Sequence, residues 1–391
     1  MKYDFDTPIN RYGTESLKYS PEERGRPADA LPMWVADMDF RTAPAITNAL
    51  IKRAEHGVYG YTESTAPYTD VLRKWFARRH NWDIEPQWLV KTFGVVNALH
   101  IAVRAFTEPG EGVLIQRPVY YPFSEAIERQ GRKLINSPLR LVNGRYEIDF
   151  DDFDVKAADA KVFILCNPHN PVGRVWQRDE LIRIADICGR RGVIVVSDEL
   201  HQDFVYPGNT HMVFASLSRE IAEFTVTCTA ASKSFNTAGL TMSNILIANP
   251  DLRKRFKYEY NAMGLSQINL MGLEATRAAY SDCDDWLDAV REYILGNIHF
   301  ADSYLNSNMP ELKLITPEAT YLLWVDFRAW KVSQKELELA LIRDAKLWLD
   351  SGTIFGPEGA GFQRFNVACP RSTLISALER VKSIRGRYYT E

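Results

Sequence analysis

Lys233 stands in the stretch Phe224 to Asn236, FTVTCTAASKSFN, where a β-branched and aromatic run gives way to small and hydroxyl residues. Ala230, Ala231 and Ser232 precede it, and Ser234, Phe235 and Asn236 follow. Burying an amine among such residues disfavours its charge and makes it nucleophilic; the alternative is a solvated lysine at a strand end. Asp198 directly follows the apolar run VIVVS. A carboxylate at the end of a buried strand either caps the turn after it or meets a cation, because an unpaired buried charge is costly. His201, three residues on, is a satisfied core histidine or a member of the same site.

Three further stretches combine rigidity with polar groups. NPHNPVG, Asn167 to Gly173, follows the apolar run Val162 to Cys166, and its two X-Pro steps hold Asn170 rigid in extended or turn geometry. An amide so held can hydrogen-bond an oxygen on a ligand ring; a plain turn is the alternative. GVVNALH, Gly94 to His100, is a glycine turn that starts a helix, where free backbone N–H groups bind phosphate. RPVYYPF, Arg117 to Phe123, sets aromatic rings between two prolines, either as a stacking face for a planar ligand or as core.

The elements that must carry these residues follow from periodicity. Short apolar runs at Leu89 to Thr92, Gly112 to Gln116, Lys133 to Asn136, Val162 to Cys166, Val193 to Ser197, Thr225 to Thr229 and Asn244 to Ala248 read as strands. Between two of them Leu181, Ile184, Ala185 and Cys188 mark one buried helix face. Strand, helix and strand in repetition predict an α/β fold with a mostly parallel seven-stranded sheet covered on both faces, binding its ligand at the carboxyl ends of the strands. Helices are expected from Pro44 to Gly57, from Tyr68 to His80 and, as one long connector, through Leu287 to Leu305. Beyond the connector a small α+β unit is expected, with strands Tyr321 to Phe327 and Phe365 to Ala368, a helix around Glu336 to Ala345 and a last helix capped by Ser372. The apolar LPMWVADMDF, Leu31 to Phe40, reads as an arm that docks on something. The division is then a large domain at 46–285, with 1–45 and 286–391 forming the arm and small domain.

Composition excludes several classes. With 46% hydrophobic and 25% charged residues the chain is neither disordered nor a membrane protein, and a net charge of -3 gives no basic face for nucleic acid. The segment Met1 to Asn10 contains Asp4 and Asp6 and no apolar core, unlike a signal peptide, so a cytoplasmic location is expected. Cys166, Cys188, Cys228, Cys283 and Cys369 are dispersed with no CxxC pair; reduced thiols, no disulfide and no metal site are expected.

An amine, a carboxylate, an amide, a ring face and a phosphate turn at strand ends of one sheet are what a pyridoxal 5′-phosphate site requires. In the order LPMWVADMDF, YGYT, GVVNAL, RPVYYPF, NPHNPVGR, SDELHQDF, SKSFNTAGL and RFNVACPRS, essentially the whole chain resembles the fold-type I pyridoxal phosphate enzymes, and within them the MalY/PatB class of C-S lyases, which are cystathionine β-lyase-like. The resemblance implies that Lys233 forms the Schiff base, Asp198 pairs with the pyridine nitrogen, Asn170 bonds the ring oxygen and Tyr120 stacks on the ring. It implies that the backbone of Val95 and Val96 holds the phosphate, joined by Tyr61 from the second subunit of a homodimer with shared sites, and that Arg364 clamps the substrate α-carboxylate. His201 lies where aminotransferases of this kind carry a tyrosine, which favours a lyase. Two departures concern the phosphate: Ala230 replaces a serine, so Thr229 or Ser232 is expected to substitute, and Thr241 replaces an arginine. The implied reaction is α,β-elimination on cystathionine- or cysteine-type sulfur amino acids, giving a thiol, pyruvate and ammonia. An aminotransferase, or a cofactor-loaded regulatory protein acting through protein contacts, is the alternative.

Overall fold

Seven short segments rich in Val, Ile and Leu pair because such side chains fill both faces of a sheet that helices cover. In a computed structural model that describes residues 3–265 and 267–389, they are β1 (Leu89–Thr92), β2 (Gly112–Ile115), β3 (Lys133–Asn136), β4 (Ala160–Cys166), β5 (Ile194–Asp198), β6 (Thr225–Thr229) and β7 (Ser243–Ile247). They lie in the order β1-β7-β6-β5-β4-β2-β3. Only β7 runs antiparallel to its neighbours, so the carboxyl ends of the other six share one edge. On one face the cluster around Ala98, Leu99, Ile101 and Phe256 brings in the helices Val95–Phe106 and Pro250–Ala262. On the other, Phe153, Leu181, Ile184 and Cys188 bring in Phe150–Ala157 and Arg178–Arg191. The seven strands fall within one or two residues of their expected positions.

The helix Asp284–Asn308 leads from this sheet to a second, antiparallel one. Its strands are β8 (Lys313–Ile315), β9 (Leu322–Asp326), β10 (Asp350–Ser351) and β11 (Phe362–Asn366), in the order β8-β9-β11-β10. β11 begins three residues before the expected Phe365 because it pairs with both β9 and β10, which puts Arg364 in mid-strand opposite Trp324 on one side and Asp350 on the other. The close turns before it need glycine: a Cβ on Gly352 or on Gly359 would overlap the carbonyl of the other. The expected helix near Glu336 is α-helical over Gln334–Leu339, capped by Ser333 and Glu336, and then widens into a π-turn over Ala340–Asp344. The last helix, Arg371–Tyr388, starts from Pro370 with no side-chain cap, so the expected Ser372 cap is not made; Thr373 and Leu374 bond instead to the Pro370 carbonyl.

The arm docks as expected. Leu31–Pro32 pairs in parallel with Leu347–Trp348, and Trp34 stacks on Trp348 at 4.4 Å. Met33, Met38 and Phe40 are buried in the core that joins both sheets. Asn366 Nδ2 donates to the carbonyls of Val35 and Asp37, and Asn236 Nδ2 to those of Met38 and Phe40, which fixes residues 35–40 between the second sheet and the turn after Lys233.

Candidate active site

Asp198 is the last residue of β5, in register with Cys228 on β6 and Cys166 on β4, so three strand ends converge on it. Its Oδ1 accepts the Leu200 N–H at 3.1 Å, and no cation among the described residues pairs with it. Burial therefore pushes the carboxyl up to about 7, against the Leu200 bond and Lys233. It caps the turn and is also a buried carboxylate poised for a cation that the side chains of the described residues do not supply.

Lys233 follows β6 in the short helix Ala231–Ser234. Its Nζ donates to the Ala36 carbonyl at 2.5 Å, on the arm. Burial, assisted by Arg364, lowers the ammonium to about 8, although Asp37 and Asp198 oppose the shift. The arm lies across this lysine and leaves it part-buried rather than fully solvated. Tyr321 Oη donates to the same carbonyl at 3.0 Å. His201 faces the edge of Tyr321 at 5.7 Å between ring centres; it is buried, and its Nδ1 has no hydrogen-bond partner. Burial, with Lys233 and Arg364 as like charges, lowers the imidazole to about 3, so the ring is neutral.

After β4 the Asn167-Pro168 and Asn170-Pro171 bonds are both cis, and His169 and Arg174 close the turn between them. Asn170 is buried and accepts at its carbonyl from the N–H of Tyr120, which ties together the ends of β4 and β2. Its Oδ1 accepts from Arg364 Nη1 at 3.0 Å. Tyr120 is half-buried at this edge; burial pushes its phenol up, and Asp198 and Arg364 are among the charges that act on it. After β1, Gly94 (φ +94) turns the chain into the helix Val95–Phe106, whose first intrahelical bond runs from Ala98 N to Gly94 O. The amides of Val95, Val96 and Asn97 precede that bond, and nothing lies within 4 Å of where a Gly94 Cβ would stand. The buried Asn97 Oδ1 beside them has no partner. Of the two candidates for the missing serine, Thr229 spends its hydroxyl on the Asn244 carbonyl at 2.9 Å, which leaves Ser232, half-buried, as the available one.

Arg364 corrects one expectation. Implied to clamp a substrate carboxylate, Arg364 already has one within the chain: Nη2 is ion-paired with Asp350 and also donates to the Trp34 carbonyl at 2.8 Å. The reason is the pairing of β10 with β11, which sets Asp350 directly opposite. The acidic residue before a glycine-rich loop was the available signal, but its partner is visible only once the strands pair. The backbone carbonyls of Trp34 and Ala36 were missed as well, because main-chain acceptors leave no mark in residue type.

Lys233, Asp198, Asn170, His201, Tyr120, Ser232, Arg364 and the Val95–Val96 turn therefore border one end of the sheet. Tyr61 does not join them: it is 96% exposed on the segment between the helices Pro44–His56 and Ala66–His80. The set suits a planar, phosphorylated heterocycle. The unpaired Asp198 carboxyl suits a ring nitrogen that carries a proton, the free amides and open space at Gly94 suit a phosphate, and the amine of lowered basicity suits an aldehyde carbon.

Comparisons with known proteins agree with this chemistry. The family model described as aminotransferase class I and II matches residues 31–381. Cystathionine beta-lyase PatB of Bacillus subtilis is 43% identical over 97% of this chain and 99% of its own length. Protein MalY of Escherichia coli is 35% identical over 95% and 96%. Cystalysin from Treponema denticola, whose crystal structure contains a pyridoxal 5′-phosphate cofactor, superposes with a TM-score of 0.96 at 41% identity over 100% of both chains.

Proposed function

The chain belongs to the class I and II aminotransferase family, in its MalY/PatB branch of C-S lyases, and from that premise we propose that it is a pyridoxal phosphate-dependent C-S β-lyase acting on cystathionine- or cysteine-type sulfur amino acids. The observation that carries the reading is the sheet edge itself, where a lysine of lowered basicity, a buried carboxyl without a cation and a buried guanidinium stand together. Pyridoxal phosphate bound there supplies an electron sink for the bond broken at the substrate α-carbon.

The protein's own residues supply the rest. Lys233 Nζ would hold the cofactor and is the base placed to take the substrate α-proton, a transfer suited to an amine whose pKa is lowered to about 8. Asp198 would hold the proton on the ring nitrogen, and Asn170 and Tyr120 would fix the ring. The Val95 and Val96 amides, with Ser232, would hold the phosphate. Arg364 holds the substrate α-carboxylate, and neutral His201 adds no charge to the ring side. The thiolate leaves from the β-carbon, and with one water consumed the products are thiol, pyruvate and ammonia.

Residues 46–285 are read as the cofactor domain, with 1–45 and 286–391 as arm and small domain. A homodimer belongs to the proposal: Ile51, Val58, Tyr59 and Tyr61 are exposed together, and a second copy covering them would carry Tyr61 to its neighbour's phosphate. A cytoplasmic location is part of the same reading; among the described residues no helix is long and apolar enough to cross a membrane.

The test is pyruvate release from cystathionine with no keto acid present. Stoichiometric pyruvate and thiol are expected. An absolute need for a keto acid would make the protein an aminotransferase, and full cofactor loading with negligible turnover would favour a regulatory role.

A further inference from the structure

Arg364 is 2% exposed, so its charge must be compensated before any substrate arrives. Three acceptors surround it: Asn170 Oδ1 on Nη1, and the Trp34 carbonyl and Asp350 on Nη2, while Nε has no partner. Two of the acceptors are neutral dipoles. Asp350 is the one carboxylate, and it has the planar shape and charge of the group that Arg364 is read to bind.

We propose that Asp350 is an internal stand-in for the substrate α-carboxylate, occupying Arg364 in the free enzyme and exchanged for the incoming carboxylate, so that it sets the affinity of the site. The inference rests on the reading of Arg364 as the carboxylate site.

Geometry favours exchange over a fixed strut. The Asp350 backbone is held by its pairing with Arg364 across β10 and β11, so only the side chain can leave. Arg364 is the one side chain that donates a hydrogen bond to it among the described residues. Asp350 also lines a cleft of about 730 Å³ bordered by the arm, the second sheet and the segment after β2. Arg24, Arg26 and Arg117 also line that cleft, with Glu125 and Glu338, so a rotated carboxylate meets solvent and a lining with one more cation than carboxylates besides its own. By contrast Asp39 is held by both Lys18 and Arg11, the arrangement expected of a permanent buried carboxylate. Burial also pushes the Asp350 carboxyl up to about 6 in spite of Arg364, which marks a charge poorly solvated where it sits.

The two roles predict opposite signs. If Asp350 competes, Asp350→Asn frees Arg364 and tightens carboxylate binding; if Asp350 only holds Arg364 in place, the same change loosens it. The probe is D-lactate, a carboxylate with no amine to react at the cofactor, titrated by calorimetry into the loaded enzyme. Asp350→Asn, and independently Asp350→Ser, are expected to bind it about tenfold more tightly, with KM for the sulfur amino acid falling more than kcat. Unchanged or weaker lactate binding in folded variants overturns the exchange. A crystal structure of the unaltered enzyme with lactate needs no variant: lactate on Arg364 with Asp350 turned into the cleft supports the proposal, and lactate bound with Asp350 still on Nη2 refutes it. Arg364→Gln separates the two readings, because lactate binding that survives this change refutes the carboxylate role of Arg364 itself.

Discussion

Asp198 and Lys233 sit at the ends of neighbouring strands, each held away from its ordinary pKa chiefly by burial. The carboxyl resists ionising because it has no cation; a protonated ring nitrogen beside it would reverse that, with each pKa unit worth about 1.4 kcal/mol, or tenfold. Asp198→Ala is therefore expected to keep the borohydride-reducible link to Lys233 while kcat for pyruvate release falls by roughly a hundredfold or more, in line with two or more such units. Near-normal turnover in this variant would leave Asp198 as the cap of Leu200 alone. Lys233→Ala should lose both the link and the turnover, and a reducible link that persists would place the reactive amine elsewhere.

The turn that opens the helix Val95–Phe106 is an element whose backbone is the functional group. Gly94 lies at φ +94 and ψ 158, a region closed to other residues at a cost of about 1–3 kcal/mol. Since a Cβ there would meet no neighbour, Gly94→Ala should leave the fold intact and shift the backbone that aims the Val95 and Val96 amides. The expected result is faster loss of cofactor on dialysis, with the far-ultraviolet circular dichroism unchanged; unaltered retention would show that these amides do not carry the phosphate. The segment bearing Tyr61 tests the assembly in the same way. Tyr61→Phe should speed cofactor loss in a dimer measured by light scattering, whereas a monomer in solution, or a variant that keeps its cofactor as the parent does, would remove Tyr61 from the site.

Over the whole molecule, buried neutral histidines tie stability to pH. Burial pushes His169 down to about 4 from 6.5, with Arg174 adding to the shift and the Pro118 and Gln116 carbonyls opposing it. The unfolded chain thus binds a proton near pH 6.5 that the folded chain refuses until about pH 4. Stability contributed by neutral His169 is complete above pH 6.5 and is lost as pH falls through this window, by up to about 3 kcal/mol. Urea titrations from pH 7 to 4.5 should show this slope, and His169→Gln should flatten it; an equal slope in both proteins would assign acid sensitivity to other groups.

Much of this protein was legible one segment at a time. The run VIVVS before Asp198, the prolines around Asn170 and the glycine before Val95 each combine a strand with a terminating signal, and local propensity determines such units without help from distant residues. Because a mostly parallel sheet gathers its strand ends on one edge, the amine, carboxylate, amide and amides of the site could be assembled from chain order alone. Pairing between distant segments was not legible. Asp350 and Arg364 are fourteen residues apart and meet only because β10 and β11 run antiparallel in one register, and a slip of one residue would turn either side chain to the opposite face. Ala36 and Lys233 are 197 residues apart, and the carbonyl that receives the lysine carries no sequence signature. What the tertiary structure alone decided was therefore which buried charge each site residue faces, since packing of remote segments sets that and residue type does not.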